Sequence, residues 1–310
     1  MSGIVDGRVV VVTGAGRGVG RAYALEFARQ GARVVVNDLG GDTRGAAGAS
    51  SAPAEEVVAE IRELGGEAIA DGNDVADYDG AGRLVNAAIE RYGRLDVLVN
   101  NAGILRDRML VNMSIEDWDA VIRVHLRGTF APTRWAAEHW RARAKADGPT
   151  GARLINTSSS SGVFANPGQA NYAAAKAGIA SFTVVASREL ARYGVTANCV
   201  YPTAMSRLTE DLFKAKGYPE PGEGEFQPLD PANFAPVVVW LASEQATDVT
   251  GRVFGLRGGR ITVAEGWAAG PTAELDRCWT YDELDTLVPD LVRKAAPNAD
   301  VYGQRIHEEG

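Results

Sequence analysis

Short runs of β-branched residues alternate with longer helical stretches along roughly the first 200 residues, and this alternation limits the possible folds more than any other feature. Runs that are apolar on both faces and separated by helices indicate a parallel sheet covered on both sides, joined by right-handed crossovers. Strands are predicted at 8–13, 33–37, 67–71, 96–100, 152–157 and 195–200, with helices at about 20–30, 54–64, 78–92, 115–146 and 171–193. The sequence therefore predicts a doubly wound α/β fold.

The same pattern continues to about residue 258. A helix at about 231–243 begins with Asp230 as N-cap and Pro231 at the first helical position, and a seventh strand is predicted near 253–256. Because the pattern is unbroken, one domain explains the chain better than two. We expect residues 1–265 to form a seven-stranded, all-parallel domain and residues 266–310 to form an acidic C-terminal extension.

Three segments depart from this pattern. Residues 40–53 are rich in glycine, alanine and serine, and residues 217–229 are rich in proline, glycine and glutamate, so both are predicted to be long loops. The third segment is the extension, in which Pro289 should kink or break a short helix. Its apolar stripe predicts packing across the mouth of a binding site or a subunit boundary, with a mobile tail as the alternative. The stripe consists of Trp279, Leu284, Leu287, Val288 and Leu291.

Composition excludes several functional classes. The net charge is −8 and no lysine- or arginine-rich run offsets it, so binding to nucleic acid or to an anionic membrane has little electrostatic support. Two cysteines and three histidines make a disulfide framework or a Cys/His metal cluster improbable, so no metal is expected. No apolar stretch approaches the roughly 18 residues of a membrane span, and the N-terminus lacks the pattern of a signal peptide. A cytoplasmic location fits these features.

A glycine-rich turn, Thr13-Gly-Ala-Gly-Arg-Gly-Val-Gly20, lies between the first predicted strand and the first helix. Glycines there allow the backbone to approach a pyrophosphate, whose charge is stabilised by the positive end of the helix. A tight turn without a ligand is the alternative, but the strand before, the helix after and an acid at the end of the second strand favour a dinucleotide site. The expected contacts are Gly14, Arg17, Gly18, Val19 and Gly20.

The choice of dinucleotide depends on Asp38, which follows the second strand 24 positions after Gly14. A carboxylate there accepts hydrogen bonds from the adenosine ribose hydroxyls and repels a 2′-phosphate, which predicts NAD. Two observations keep the choice open: Asp38 could simply cap the strand end, and the Arg17 guanidinium could reach a phosphate. Asp74 and Val75, after the third strand, are predicted to contact the adenine.

Tyr172 and Lys176 are four residues apart on a predicted helix and therefore share one face. A tyrosine with its ordinary pKa of about 10 is a poor base at neutral pH, but a neighbouring ammonium and an oxidised nicotinamide both favour the phenolate. Taken singly, such residues are usually packing or surface residues. Together with the serine cluster at 157–162 and Asn100-Asn-Ala-Gly103 after the fourth strand, they predict that the tyrosine is a catalytic acid/base whose pKa is adjusted by its neighbours.

These motifs resemble the short-chain dehydrogenase/reductase family over roughly residues 6 to 265. They are TGxxxGxG, NNAG, a serine thirteen residues before YxxxK, and the turn Asn198-Cys-Val-Tyr-Pro202. The resemblance implies a Rossmann-type sheet, a homodimer or homotetramer, and an exchange of the hydroxyl proton by Tyr172. It also implies that Ser159 holds the substrate oxygen and that Lys176 binds the nicotinamide ribose and lowers the tyrosine pKa. Asn101, Ala102 and Gly103 would lie near the cofactor.

Two departures from the family pattern affect the site. The stretch Val124-His-Leu-Arg-Gly128 matches a VNLxG-like motif, so His125 stands where the family has a catalytic asparagine. The usual Pro-Gly after the sixth strand is Pro202-Thr203, beside the expected nicotinamide position. Ser158 and Ser160 are close rivals of Ser159, and only the thirteen-residue spacing favours Ser159.

Four stretches are most similar to the dehydrogenase part of the peroxisomal D-specific multifunctional enzymes and to their bacterial relatives: VVVNDLGGD, NNAGILRDR, RVHLRGTF and GQANYAAAK. Those proteins act on 3-hydroxyacyl-CoA, and some bacterial relatives act on steroids. The resemblance thus implies a stand-alone bacterial enzyme of lipid metabolism that interconverts 3-hydroxyacyl-CoA and 3-oxoacyl-CoA. A hydroxysteroid dehydrogenase is the alternative. A non-enzymatic dinucleotide sensor is disfavoured by the intact Ser159, Tyr172 and Lys176.

The two substrate classes require different surroundings. Coenzyme A is polyanionic and would need local bases, for which Arg106 and Arg108 after the NNAG turn are candidates, although they could equally be solvated loop charges. A steroid would need a wide apolar cleft. The residues predicted to line such a cleft are the 201–207 loop, Phe164, Phe213 and Phe226.

Overall fold

Eight strands form one sheet in the order β3-β2-β1-β4-β5-β6-β7-β8 in the computed structural model, which describes residues 3–41, 45, 50–205 and 225–305. Strands β1 to β7 are parallel to one another, and β8 is antiparallel to β7. The strands are β1 Val9–Thr13, β2 Arg33–Asn37, β3 Glu67–Asp71, β4 Val97–Asn100, β5 Arg153–Thr157, β6 Thr196–Pro202, β7 Val253–Arg257 and β8 Arg260–Ala264.

Helices cover both faces of the sheet. In the described chain they are α1 Gly18–Arg29, α2 Ala52–Glu63, α3 Tyr78–Tyr92, α4 Ile115–Ile122, α5 Gly128–Asp147, α6 Ser160–Phe164, α7 Ala170–Leu190, α8 Ala235–Leu241 and α9 Tyr281–Lys294. Successive side chains of a strand point to opposite faces, which explains the all-valine run of β1. Val10 and Val12 pack in the core formed with α1, α2 and α8, whereas Val9 and Val11 pack in the core formed with α3, α5 and α7.

The doubly wound α/β prediction is confirmed, and most predicted elements agree with the structure to within about two residues. The expected seven-stranded parallel sheet is wrong in one respect, since β8 adds an antiparallel eighth strand. Gly258 and Gly259 make the two-residue turn that reverses the chain, with Gly258 at φ +54°. A Gly-Gly pair followed by alternating apolar residues is a hairpin signal, and the prediction ended the pattern at that pair.

The helix predicted at 115–146 is interrupted. α4 and α5 are joined by a π-helical turn over Arg123–Arg127, and His125 lies at the centre of that wider turn. Single π turns inside α-helices insert one residue and occur frequently at functional sites. Hydrophobic periodicity alone does not resolve this insertion, because the apolar face resumes one residue later.

The C-terminal extension contains α9, which begins with a capping box between Thr280 and Glu283. The helix continues through Pro289, so the predicted break is wrong: the helix survives the loss of one backbone donor. No residue of α9 is buried, although Leu284, Leu287 and Leu291 are partly covered.

The structure describes the two predicted loops only in part. Residues 42–44, 46–49 and 217–224 of the two predicted loops lie outside the described residues, and α2 already begins at Ala52.

Among the described helices, none combines the length and apolar character needed to span a membrane.

Candidate active site

A cleft of about 500 Å³ lies at the carboxyl ends of the strands and includes the ends of β1 and β4. The strand order reverses between these two strands, so their following loops leave toward opposite faces and open a crevice. Every cofactor and catalytic residue predicted from the sequence lines this cleft. They are Gly14, Arg17, Gly18, Val19, Gly20, Asp38, Asp74, Val75, Asn101, Ala102, Gly103, His125, Ser159, Tyr172, Lys176, Pro202 and Thr203.

The glycine-rich turn between β1 and α1 leaves no room for side chains at two positions. A Cβ on Gly14, which has φ +61°, would lie 2.7 Å from Cα of Ala102, and a Cβ on Gly20 would lie 2.2 Å from the Gly14 carbonyl oxygen. The Asn101 amide donates to the carbonyl oxygens of Thr13 and Gly14, at 3.1 and 3.2 Å. These contacts join the end of β4 to the turn and fix its shape.

The first turn of α1 is suited to an anion. Its N-cap, Arg17, makes no side-chain capping bond, and no acidic residue occupies the first turn. The free amides and the helix dipole therefore direct a partial positive charge into the cleft. These residues fit the pyrophosphate of a dinucleotide.

Asp38 is fixed at the end of β2 by two backbone amides. Its Oδ2 accepts from Gly16 N at 2.9 Å, and its Oδ1 accepts from Gly40 N at 2.8 Å. The carboxylate thus caps local backbone and also lines the cleft, so the capping alternative and the ribose-binding prediction are compatible. Each carboxylate oxygen retains acceptor capacity beyond one bond.

Asp74 and Val75 line the cleft after β3. Asp74 Oδ1 accepts from Ala76 N at 2.8 Å, and Oδ2 pairs with Arg123 at 2.5 Å. Val75 is 5% exposed and presents an apolar surface. The acid is therefore held by Arg123, the first residue of the π turn.

Ser159, Tyr172 and Lys176 come together where β5 and α7 meet. Ser159 caps α6, accepting from Ser161 N at 3.2 Å, and is hydrogen-bonded to Tyr172. Lys176 donates from Nζ to the Thr157 carbonyl oxygen at 2.6 Å, and its Nζ lies 5.6 Å from the centre of the Tyr172 ring. The three side chains form one polar group that can hold an alcohol or carbonyl oxygen and move a proton.

The geometry also separates Ser159 from its rivals. Ser158 is buried and donates its hydroxyl to the Lys176 carbonyl oxygen at 2.8 Å, so it is occupied with the backbone of α7. Ser160 begins α6 and lines the same cleft, but the serine hydrogen bond to Tyr172 comes from Ser159. The thirteen-residue spacing and the structure thus favour the same serine.

Burial dominates the protonation of this group. It raises the pKa of Tyr172 to about 12, against the lowering effect of the Ser159 hydrogen bond, and the nearby Asp107 carboxylate raises it further. Burial lowers the pKa of Lys176 to about 8. The expected lowering of the tyrosine pKa by Lys176 is not among the effects that set this pKa in the protein alone, which are burial, the Ser159 hydrogen bond and the Asp107 carboxylate. At neutral pH Tyr172 is therefore a phenol.

His125 is 2% exposed and neutral. Burial lowers its pKa well below the usual value, and the Lys176 charge lowers it further. Its Nε2 lies 2.8 Å from the Ile104 carbonyl oxygen and 3.1 Å from Ile104 N, and its ring meets Tyr172 edge-on at 5.1 Å. A Cβ on Gly103 would lie 2.3 Å from Cε1 of His125, so the glycine of NNAG makes space for the imidazole.

A polar network beside Tyr172 was missed from the sequence. Gln169 donates to Asp107 Oδ2 at 2.7 Å and accepts from the Ser161 hydroxyl at 2.7 Å. Gln169 stands at the N-cap of α7, three residues before Tyr172, and that position was its only local signal. Other lining residues missed from the sequence are Leu105, Asn166, Gly255, Leu256, Arg257, Arg260 and Thr262.

Of the arginines and aromatic residues predicted to contact the substrate, only some line the cleft. Arg106 and Arg108 lie 3.5 and 3.9 Å from the Asp117 carboxylate and do not line the cleft, so the structure does not support their placement at its mouth. Phe164 lines the cleft, whereas Phe226 is 62% exposed and does not. Phe213 and residues 206–207 lie outside the described residues.

The extension reaches the cleft, but through a different part than its apolar stripe. Residues 301–304 line the cleft near Phe164, while α9 does not line it. In the described part of the chain, no group of three or more histidine, cysteine or acidic side chains is arranged to hold a metal ion.

A crevice at the sheet's switch point, an anion-binding helix end and a Ser-Tyr-Lys group define a nicotinamide-dependent oxidoreductase that acts on CH–OH groups. The family model of short chain dehydrogenases matches residues 8–215. The chain belongs to the short chain dehydrogenase family.

Several relatives are similar over most of this chain. It is 47% identical over 265 residues to the hydroxyacyl-CoA dehydrogenase ChsB1 of Mycobacterium tuberculosis, covering 84% of this chain and 80% of that protein. It is 45% identical over 262 residues to the peroxisomal multifunctional enzyme type 2 of Mus musculus, covering 84% of this chain but only 32% of the mouse enzyme. A short chain dehydrogenase crystal structure from Mycobacterium avium superposes with a TM-score of 0.86 and 52% identity, covering 97% of this chain and 100% of that one.

Proposed function

We propose that this protein is an NAD(H)-dependent 3-hydroxyacyl-CoA dehydrogenase. The single observation that carries the chemistry is the contact of Ser159, Tyr172 and Lys176 in a cleft that also contains a dinucleotide loop. The substrate class is supported by the relative named a hydroxyacyl-CoA dehydrogenase, at 47% identity over 84% of this chain.

In this proposal each side chain has one task. Ser159 donates a hydrogen bond to the substrate oxygen. Tyr172 takes the hydroxyl proton on Oη as the phenolate during oxidation, and it returns the proton as the phenol during reduction. Lys176, held by the Thr157 carbonyl oxygen, presents its ammonium near the phenol and to the cofactor ribose. The bound nicotinamide supplies the hydride acceptor or donor. Neutral His125 fixes the loop at Ile104 and supports the Tyr172 ring at its edge.

The preference for NAD over NADP rests on Asp38. Its carboxylate is fixed at the end of β2 and would repel a 2′-phosphate, whereas the exposed Arg17 on the same side of the cleft would attract one. We favour Asp38 because two backbone amides hold it in position, while Arg17 makes no capping contact.

The organisation of the protein completes the proposal. Residues 1–265 form the NAD-binding and catalytic domain, and residues 266–310 are an extension whose last turn joins the substrate side. The assembly is a homodimer or homotetramer, as the family resemblance implies. The two cysteines are both unpaired, which fits a reducing cytoplasm.

A hydroxysteroid is the second candidate substrate, because Leu105, Phe164 and Tyr201 give the cleft an apolar wall. The test is a panel of alcohols with NAD⁺, read at the NADH absorbance band, that includes a 3-hydroxyacyl-CoA, a hydroxysteroid and a small cyclic alcohol. We expect the CoA ester to have the highest kcat/KM. Oxidation of the steroid without turnover of any 3-hydroxyacyl-CoA would reject the substrate assignment. Absence of turnover with every alcohol, despite tight NADH binding, would favour a dinucleotide sensor.

A further inference from the structure

Two arginines face each other across the turn between β7 and β8. Arg257 and Arg260 are directly paired in the antiparallel register, and both line the cleft. Like charges at directly opposite positions destabilise a sheet, so this arrangement opposes the stability of the hairpin. An anion bound between the two guanidinium groups would offset that repulsion. Local features that work against stability occur mainly at functional sites.

The charges around the pair favour an anion as well. The two carboxylates that line the cleft in the described chain, those of Asp38 and Asp74, both belong to the dinucleotide side. No acidic side chain of the described residues forms an ion pair with Arg260. Among the described lining residues, the part of the cleft formed by the hairpin and residues 301–304 thus carries basic and no acidic side chains, although the protein as a whole has a net charge of −8. Such a local field attracts phosphate groups.

The C-terminal turn holds one of the two guanidinium groups. The Tyr302 ring lies 5.6 Å from the guanidinium carbon of Arg257, which is cation–π distance. Asp300 shapes the turn, because its Oδ1 accepts from Tyr302 N and Gln304 N, both at 2.9 Å. The turn also contacts the wall of the cleft, since a Cβ on Gly303 would lie 2.8 Å from Cζ of Phe164.

Phe164 links this turn to the chemistry. It ends α6, which begins directly after Ser159, and its ring meets that of Tyr201 edge-on at 6.0 Å. The order along the substrate side is thus the Ser159 and Tyr172 group, then the aromatic pair, then the arginines and the C-terminal turn. A substrate with its reacting carbon at Tyr172 and an anionic group at the far end of a flexible arm matches this order.

We propose that Arg257 and Arg260, with Tyr302, form the subsite that binds the phosphate groups of the coenzyme A part of the substrate. Planar guanidinium groups bind phosphate oxygens through paired, charge-assisted hydrogen bonds. This inference rests on the proposed acyl-CoA function and assigns the anion site to the β7–β8 hairpin in place of Arg106 and Arg108.

The test compares two double variants with the same change in charge. In Arg257→Gln/Arg260→Gln the proposed subsite is neutral, whereas Arg106→Gln/Arg108→Gln removes two charges outside the cleft. Each is assayed with NAD⁺ and two substrates, 3-hydroxybutyryl-CoA and the N-acetylcysteamine thioester of the same acid, which lacks phosphates. We expect the hairpin variant to raise KM for the CoA ester about tenfold or more relative to KM for the short thioester. The control variant should leave that ratio unchanged, and added salt should raise the ratio for the unmodified protein.

A binding measurement gives a readout besides turnover. Free coenzyme A is titrated calorimetrically at saturating NADH, so that the adenosine site is occupied, and its Kd should weaken about tenfold in the hairpin variant only. Circular dichroism checks that each variant folds, and Arg260→Gln alone is the fallback if the double variant does not. Equal KM ratios in all three proteins would overturn the subsite while the dehydrogenase function stands. A larger change of the KM ratio in the control variant would assign the phosphate-binding subsite to Arg106 and Arg108 instead. If the unmodified protein oxidises neither thioester, the proposed function fails and the subsite fails with it.

Discussion

The dinucleotide side and the substrate side of the cleft are built in different ways. On the dinucleotide side, short turns at the ends of neighbouring strands form the surface, and Gly14, Gly20 and Asn101 fix it through backbone contacts. On the substrate side, α6, the β7–β8 hairpin and the C-terminal turn meet through side chains from distant parts of the sequence. The first side tolerates few substitutions at its glycines, because a Cβ on Gly14 or Gly20 would clash with the backbone.

The largest expected effect lies where the two sides meet. Tyr172→Phe removes the transferable proton while keeping the ring, so kcat for alcohol oxidation should fall by about 10²- to 10⁴-fold. NADH binding should stay close to that of the unmodified protein, because the dinucleotide side is unaltered. Near-normal turnover would contradict the proposed mechanism, and a stronger loss in Ser158→Ala or Ser160→Ala than in Ser159→Ala would correct the serine assignment.

Gly20→Ala tests the rigidity of the dinucleotide side. The added Cβ would lie 2.2 Å from the Gly14 carbonyl oxygen, so the turn must shift, and we expect a loss of about 1–3 kcal/mol in stability with weaker NADH binding. Gly72→Ala is the matched control, because nothing lies within 4 Å of its Cβ position. Thermal unfolding and NADH fluorescence titration measure both effects. An unchanged NADH affinity in Gly20→Ala would show that the turn does not need its observed shape.

Asp38→Ala sharpens the cofactor assignment on the same side. Removing the carboxylate relieves repulsion of a 2′-phosphate and also removes hydrogen bonds to the ribose, so the preference for NADH over NADPH should narrow by about tenfold or more. The ratio of the two Kd values is the measurement. If the unmodified protein already binds NADPH more tightly, Arg17 rather than Asp38 sets the choice.

The smallest effect is expected on the substrate side. Tyr302→Ala removes the ring beside the Arg257 guanidinium, a contact of about 0.5–1 kcal/mol at exposed sites, so KM for a CoA ester should rise about two- to fivefold. Tyr302→Phe keeps the ring and should behave as the unmodified protein. Equal KM values for Tyr302→Ala and Tyr302→Phe would show that the ring does not position the arginine.

The residues that line the dinucleotide side of the cleft could be predicted because the sequence information for them is local. A turn such as Thr13–Gly20 and an acid such as Asp38 each lie within one strand–turn–helix unit, and parallel strands bring such units to one edge of the sheet. The same holds for Ser159, Tyr172 and Lys176, which follow a strand and share a helix face.

The remaining residues of the site depend on long-range contacts, which hydrophobic periodicity does not predict. The predicted strand pattern ends at about residue 258 and therefore does not include the hairpin that makes Arg257 and Arg260 neighbours. Tyr302 reaches Arg257 from about 45 residues further along the chain. Arg106 and Arg108 looked available from the sequence, but Asp117 pairs with both. The interruption of the helix at His125 adds one residue, which hydrophobic patterning over a long window does not resolve.

The pH profile of alcohol oxidation tests the central claim most directly, because the mechanism needs the phenolate of Tyr172 while burial raises its pKa to about 12. Below that pKa the phenolate fraction grows with pH, so kcat/KM for oxidation should rise by about tenfold per pH unit. The rise should level off at the pKa that Tyr172 has when the cofactor is bound. Ketone reduction uses the protonated phenol and should lose rate only above that pKa. A rising limb that is absent in Tyr172→Phe is the predicted result. An oxidation rate that is flat or falls between neutral and alkaline pH, or a rising limb that persists in Tyr172→Phe, would contradict the account.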